Sequence, residues 1–395
     1  MPLDPIAPAT EPASAPTAEE LAAHVGRTRS VMREHGLAAL CVVSPENVYY
    51  LLGLNHQGHF AFTLLVLPLD GAPLLVTRAM ERPTVAAQVP GCVHITFGDD
   101  EDPAAAAARA IRRVAGRGDR VGIERASMYL PVAIWERVRA TLDELDWADG
   151  SGLVDGVRAV KTPAEIALVR RAAAISDRAI QAGIAAVGAG VTERAVAAAV
   201  YHELVGAGSE PPGIAPFIRA RDRLLQEHVT WGDHTLGPGD ALFMELSASV
   251  ERYHAPLSRM VYLHQAPMGT DRAAGIALGG LETVRASLRP GAITADVYAA
   301  WQRVVDEGLG HSRYRRHHCG YLVGIGFPPS WVGGSAVVGI RNGGDLIIRE
   351  GMVFHVFSWL LDQEPADYVV SDTVLVTADG GELLTTTPRE PLVVR

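Results

Sequence analysis

Cysteine is scarce. Cys41, Cys92 and Cys319 are the only three in 395 residues, too far apart for a metal pattern or a disulfide framework. That suits a reducing compartment, and the expected location is cytoplasmic. No apolar run reaches the length that spans a bilayer, and the first residues lack the basic region and apolar core of a signal peptide. Positive charge is not in excess either: 35 Lys and Arg stand against 45 Asp and Glu, a formal net charge of -10. This argues against nucleic acid and anionic membranes as partners and agrees with a cationic or zwitterionic small molecule. What is present is 48% hydrophobic and 20% charged residues, the balance of a globular chain long enough for two domains with cores of their own. Residues 1–17, rich in Pro and Ala, read as a flexible tail.

From residue 18 to 157 short strands alternate with helices. Ala18 to His35 has an amphipathic pattern closed by Gly36, Leu37 to Val43 reads as a buried strand, and Ser44-Pro45-Glu46-Asn47 as a turn. Phe62 to Leu67 and Pro73 to Thr77 predict a hairpin around Asp70-Gly71. An Ala-rich helix over 104–115 and a strand over 120–123 follow. Together they predict a small α/β domain. A second domain, 158–395, opens at Lys161-Thr162-Pro163-Ala164-Glu165, where Thr can cap a helix, Pro can take its first position and Glu its third. Further helices are expected after Thr192 and from Thr294 to Glu307. The strand pairs 241–246 with 260–263, and 352–357 with 369–377, make this domain α+β.

The segment His228 to Arg259 carries the densest chemistry. A Gly237-Pro238-Gly239-Asp240 turn leads into the apolar strand Ala241 to Leu246, which holds a lone acid, Glu245. His228, Trp231, Tyr253 and His254 crowd the same stretch. A carboxylate among apolar neighbours, with a histidine as a proton carrier that titrates near neutrality as a side-chain type, is a pattern for acid–base or nucleophilic work. His317-His318, in a basic cluster, reads equally well as a solvated loop.

Several segments in order resemble the pita-bread superfamily of aminopeptidase P, prolidase, methionine aminopeptidase and creatinase. They are VKTPAEIALVRRAA, LGPGDALFMELSA, GYLVGIGFPPSW, REGMVFHVF and SDTVLVTADGGELLT. The resemblance implies a C-terminal pita-bread catalytic domain behind a smaller creatinase-like α/β domain, and a homodimer. It also implies that the metallopeptidase members' ligands, two Asp, one His and two Glu, fall here on Glu245, Pro256, Tyr321, Phe357 and Ser371. Pro and Phe offer no side-chain ligand, so the expectation is a site with no metal and no cofactor.

HVTW, MEL, RYHAPLSR and the GY…GI…PP…W run resemble the ectoine hydrolases of that superfamily more specifically. Ser247-Ala248-Ser249 and Ser371 depart from them. The resemblance implies hydrolysis of a C–N bond in a small cyclic amidine or related zwitterion. Glu245 then serves as nucleophile or general base and His228 as proton donor and acceptor. Trp231, Tyr253, Tyr321, Phe357 and Trp359 are candidates to face the cation, by cation–π contact or simply as core. His254 is a second proton site, a carboxylate anchor or a structural histidine. Arg259 is a candidate carboxylate partner, and Arg219 reads as an ion-pair residue. The alternatives are an Xaa-Pro-type metallopeptidase with degenerate ligands, a biosynthetic relative that closes rings or eliminates, and an inactive module that binds peptide.

Overall fold

The computed structural model describes residues 15–333, 337–363 and 366–395. The chain forms two compact units, one running up to Arg158 and the other made of Ala159–Val332 with Val337–Arg395. Most of the stretch read as a tail lies outside the described residues.

In the first unit, α1 (Ala18–Glu34) starts at Thr17, whose hydroxyl accepts from Glu20 N while the Glu20 carboxylate accepts from Thr17 N. Then come β1 (Ala39–Val42) and α2 (Pro45–Leu52). The turn expected at 44–47 is corrected here: it is the start of α2. Ser44 holds the cap position, Pro45 sits where a missing N–H costs nothing, and Gly53 ends the helix at φ +74°. β2 (Leu64–Pro68) and β3 (Leu74–Arg78) pair antiparallel, as the hairpin pattern predicts. The unit continues with α3 (Arg82–Gln88), β4 (Val93–Phe97), α4 (Pro103–Ile111), β5 (Arg120–Ile123), α5 (Val132–Thr141), β6 (Asp146–Asp149) and α6 (Leu153–Arg158). One sheet results, ordered β4-β3-β2-β1-β5-β6 and mixed in direction. The alanines of α4 allow it to lie close on that sheet, and Ala106, Ala107 and Ala110 are fully buried.

The second unit opens with the expected capping box: Thr162 and Glu165 begin α7 (Pro163–Ala186), with Pro163 in its first turn. α8 (Glu193–Gly206) follows, then β7 (Phe217–Ala220), β8 (Ala241–Leu246), β9 (Ser249–Val250), β10 (Tyr253–His254) and β11 (Leu257–Leu263). Next come α9 (Thr270–Ser287), α10 (Thr294–Leu309), β12 (Gly320–Leu322), β13 (Val353–Leu360), β14 (Tyr368–Thr377), β15 (Gly380–Leu383) and β16 (Leu392–Val394). The main sheet runs β12-β13-β14-β11-β8-β7. Two helix pairs lie on it: α7 with α8 touches β8 and β7, and α9 with α10 touches β13 and β14.

Alternation along the strands divides the sheet's faces. Met244 and Ser358 meet the helices, where a Cβ on Gly183 of α7 would come within 3.0 Å of Met244 Sδ and one on Gly280 of α9 within 2.6 Å of Ser358 Oγ. Glu245, Phe357 and Trp359 therefore take the other face.

Candidate active site

A cavity of about 470 Å³ opens on that other face, lined by Glu245, Arg219, His228, Tyr321, Phe357 and Trp359 among others. Strand register sets its floor. Phe217 pairs with Glu245, Glu245 with Ser258, Ser258 with Ser371, and Ser371 with Phe357, one row across β7, β8, β11, β14 and β13. Strands neighbouring in a sheet lie about 4.8 Å apart, so β8 and β13, three steps distant, would be roughly 14 Å apart in a flat sheet. Yet the rings of Phe243 on β8 and Trp359 on β13 are 5.4 Å apart. The sheet is curled into the wall of a cup.

Glu245 stands in this row and is 4% exposed. Burial pushes its carboxyl up to about 8; Arg219 pulls the other way, Glu227 adds to the rise and Arg316 opposes it. His355 Nε2 lies 3.8 Å from Glu245 Oε1. That histidine stands in the middle of a hydrogen-bonded chain with one consistent direction. Trp331 Nε1–H donates to Tyr321 Oη at 3.0 Å, Tyr321 Oη meets His355 Nδ1 at 2.8 Å, His355 Nε2 meets Ser371 Oγ at 2.7 Å, and Ser371 donates to Ser258 Oγ at 2.8 Å. Ser371 gives its one hydroxyl proton to Ser258, so His355 Nε2 carries the imidazole proton and the unprotonated Nδ1 of the neutral ring accepts from the Tyr321 hydroxyl. Burial lowers the His355 pKa to about 3, so the ring is neutral.

The loop that brings His228 to the rim is braced by two buried acids. Glu193 accepts from Gly232 N at 2.6 Å and Ala220 N at 2.8 Å and pairs with Arg223. Asp240 accepts from Gly237 N at 2.8 Å and from Arg221 Nε at 2.6 Å, and it contacts His234 Nε2 at 2.9 Å. His228 is itself in the left-handed region at φ +58°, with its ring edge-on to Phe217 at 5.8 Å. An ordinary side chain held there is backbone strain next to a cavity.

The structure brings Glu245, His228, Tyr321, Phe357 and Trp359 together, all lining the cavity. The other four candidates do not line it. Trp231 packs against Tyr201 at 5.6 Å. The Tyr253 hydroxyl donates to the Glu165 carboxylate at 2.5 Å. His254 is spent on backbone: Nε2 accepts from Gly213 N at 2.9 Å, so Nδ1–H donates to Arg252 O at 2.8 Å, and burial lowers its pKa to about 4. Arg259 gives hydrogen bonds to the carbonyls of Pro388, Ser258, Ser371 and Thr387 and to Asp372 Oδ1. It is a fully buried clamp.

Sequence reasoning missed His355, Glu227 and Arg316. The signal for His355 was available: it lies two residues before Phe357 on one strand, hence on the same face. His317 and His318, left open between a basic cluster and a solvated loop, line the cavity.

The donors of a two-ion site do not assemble here. Phe357 has no ligand atom, and Tyr321 and Ser371 are engaged with His355. Among the described residues no three His, Cys, Asp or Glu side chains are grouped to hold a metal ion. Nor is any described helix long and apolar enough to cross a membrane.

Comparison with known proteins gives the architecture its relatives. The chain is 27% identical to the ectoine hydrolase of Halomonas elongata over 95% of this chain and 98% of the relative. It is 23% identical to the Xaa-Pro dipeptidase of Pyrococcus furiosus over 91% of this chain and 97% of that one. The fold matches the crystal structure of prolidase from Thermococcus sibiricus with a TM-score of 0.85 at 20% identity, covering 96% of this chain and all of the other. The Creatinase/Prolidase N-terminal domain matches residues 25–160 and Metallopeptidase family M24 matches residues 167–378. The chain, with its cup-shaped sheet under two helix pairs, therefore belongs to metallopeptidase family M24 and carries that creatinase/prolidase N-terminal domain ahead of it.

Proposed function

We propose that this member of the family is a metal-independent hydrolase that opens a C–N bond of a small cyclic amidine or a related zwitterion. The observation that carries the reading is a lone buried carboxyl facing the cavity, in a row whose other positions are Phe and Ser. The ectoine hydrolase relative supports the substrate class. An amidinium spreads its charge over two nitrogens, so water attacks its carbon poorly unless a base or nucleophile assists. Ionised Glu245 pairs with that cation and either takes a proton from attacking water or attacks the carbon itself. His228, at the rim, delivers a proton to the departing nitrogen. The ring amidine and one water give an open-chain amide and an amine.

The test is mass spectrometry of ectoine and creatine after incubation with EDTA-treated protein, beside Glu245→Gln. A gain of one water by ectoine that needs Glu245 and no added metal is the expected result. Turnover that returns only with divalent metal, or of an Xaa-Pro dipeptide instead, would overturn it. That second reading, a metallopeptidase with degenerate ligands, draws on the family and on the Pyrococcus furiosus relative.

A further inference from the structure

Four buried nitrogens around the cavity lack a hydrogen-bond partner among the described residues: Arg219 Nη1, Arg316 Nε, Trp359 Nε1 and His318 Nδ1. Three of them, on Arg219, Arg316 and Trp359, can only donate. A buried donor left unpaired costs about 1–3 kcal/mol, so several at one place call for an acceptor from outside. They are also contiguous. The Arg219 guanidinium lies 4.2 Å over the Phe243 ring, Phe243 is 5.4 Å from Trp359, and the Arg316 guanidinium lies 5.0 Å over Trp359. Arg219 is 1% exposed; its Nε donates to Leu224 O at 3.1 Å, while Nη1 has no partner among the described residues. Arg316 keeps Glu227 on Nη1 at 2.6 Å and leaves Nε open.

We infer that this donor cluster is a docking pole for a ligand carboxylate, with Arg219 as its principal residue and Arg316 and Trp359 completing it. The cavity then presents two groups of opposite demand. Glu245 takes the ligand's cationic half and the Arg219 pole takes its anionic half, so a zwitterion is oriented before reaction. The cationic half rests on the function proposed above; the pole does not, because its donors ask for an anion whatever Glu245 does. A ring acid and the C-terminus of a short peptide present the same carboxylate, and the probes below separate them.

Calorimetric binding is measured in the Glu245→Gln background, where ectoine is not consumed. The probes are ectoine, the same ring without its carboxyl group, cyclohexanecarboxylate, and an Ala-Pro dipeptide. Adding Arg219→Ala should weaken ectoine and cyclohexanecarboxylate by about ten-fold or more, the scale of a lost charge-assisted bond, and leave the decarboxylated ring unchanged. Trp359→Phe, which removes one N–H and little else, should weaken the same two probes by a smaller factor; it decides the matter if the Arg219 variant does not fold. Arg219-dependent binding of the dipeptide and not ectoine keeps the pole and assigns its carboxylate to a peptide. Unchanged binding of cyclohexanecarboxylate in both variants, or equal weakening of the decarboxylated ring, overturns the pole. Failure of ectoine turnover in the intact protein bears on the reaction alone, since cyclohexanecarboxylate reads the pole without it.

Discussion

Glu245 is held at a cost that its titration makes measurable. Its ordinary carboxyl value is 4.5 and its folded value is about 8. Below 4.5 both folded and unfolded chains keep the proton and there is no penalty. Between 4.5 and about 8 the unfolded chain gives the proton up while the folded one keeps it, so stability falls as pH rises through that window. Each unit is about 1.4 kcal/mol. Glu245→Gln, uncharged at any pH, should therefore melt higher than the parent at pH 9 and lose that slope; calorimetric melts across the pH range check it. His355 belongs to the same network. Tyr321→Phe removes the hydroxyl that meets its Nδ1, and with it about 1–3 kcal/mol of stability. Turnover should fall with it, because the ring beside Glu245 is no longer fixed; denaturant melts alongside turnover separate the two effects. At this scale the sequence was legible for Glu245, an acid out of place on an apolar strand. It was less legible for Arg259 and His254, because polar residues in a distinctive motif look alike whether they serve a ligand or the buried backbone.

Helices and strands were easier to read where chemistry punctuates them. Thr162, Pro163 and Glu165 announce α7 by local hydrogen bonding alone. Helix α9 went unread because its sequence argues against it: Gly275, Gly279 and Gly280 lower helix propensity, and its cap is Gly269. Packing explains the contradiction, since Gly280 lets α9 lie on β13 where a methyl group would strike Ser358 Oγ and the Trp301 ring. Gly183 does the same for α7 against β8. Gly280→Ala should therefore destabilise by about 1–3 kcal/mol through overpacking, although alanine favours a helix. A denaturant melt showing stabilisation would contradict that packing account. Because Ser358 lies between Phe357 and Trp359, the same variant should also disturb the cavity wall.

At the scale of the whole catalytic unit, His254 and His355 are buried, His318 is half-buried, and all three are neutral, with values lowered to about 4, 3 and 3 (His254, His318, His355) by burial. Below their ordinary 6.5 the unfolded chain takes up protons that the folded one refuses, so stability drops as pH falls from there. Three such groups outweigh the opposite slope of the single Glu245 between 4.5 and 6.5, and above 6.5 Glu245 acts alone. The melting temperature of this unit should peak at roughly pH 6.5. A chain whose melting temperature still climbs from pH 7 to 8.5 would not be described by these groups.

The two-unit architecture was readable from alternating elements and motif order, whereas the curl of the sheet was not. No residue pattern states that Phe243 and Trp359 meet.

The raised carboxyl of Glu245 has one more consequence, in proton counting. In the empty cavity at pH 7 the group is mostly protonated. A cation can pair with it only after that proton leaves, so capture of an amidinium ejects a proton into the buffer. Measured heats of binding should then shift with the ionisation enthalpy of the buffer chosen. Apparent affinity should climb about ten-fold per pH unit up to about 8 and then level off. A neutral ring without the amidinium should show neither effect.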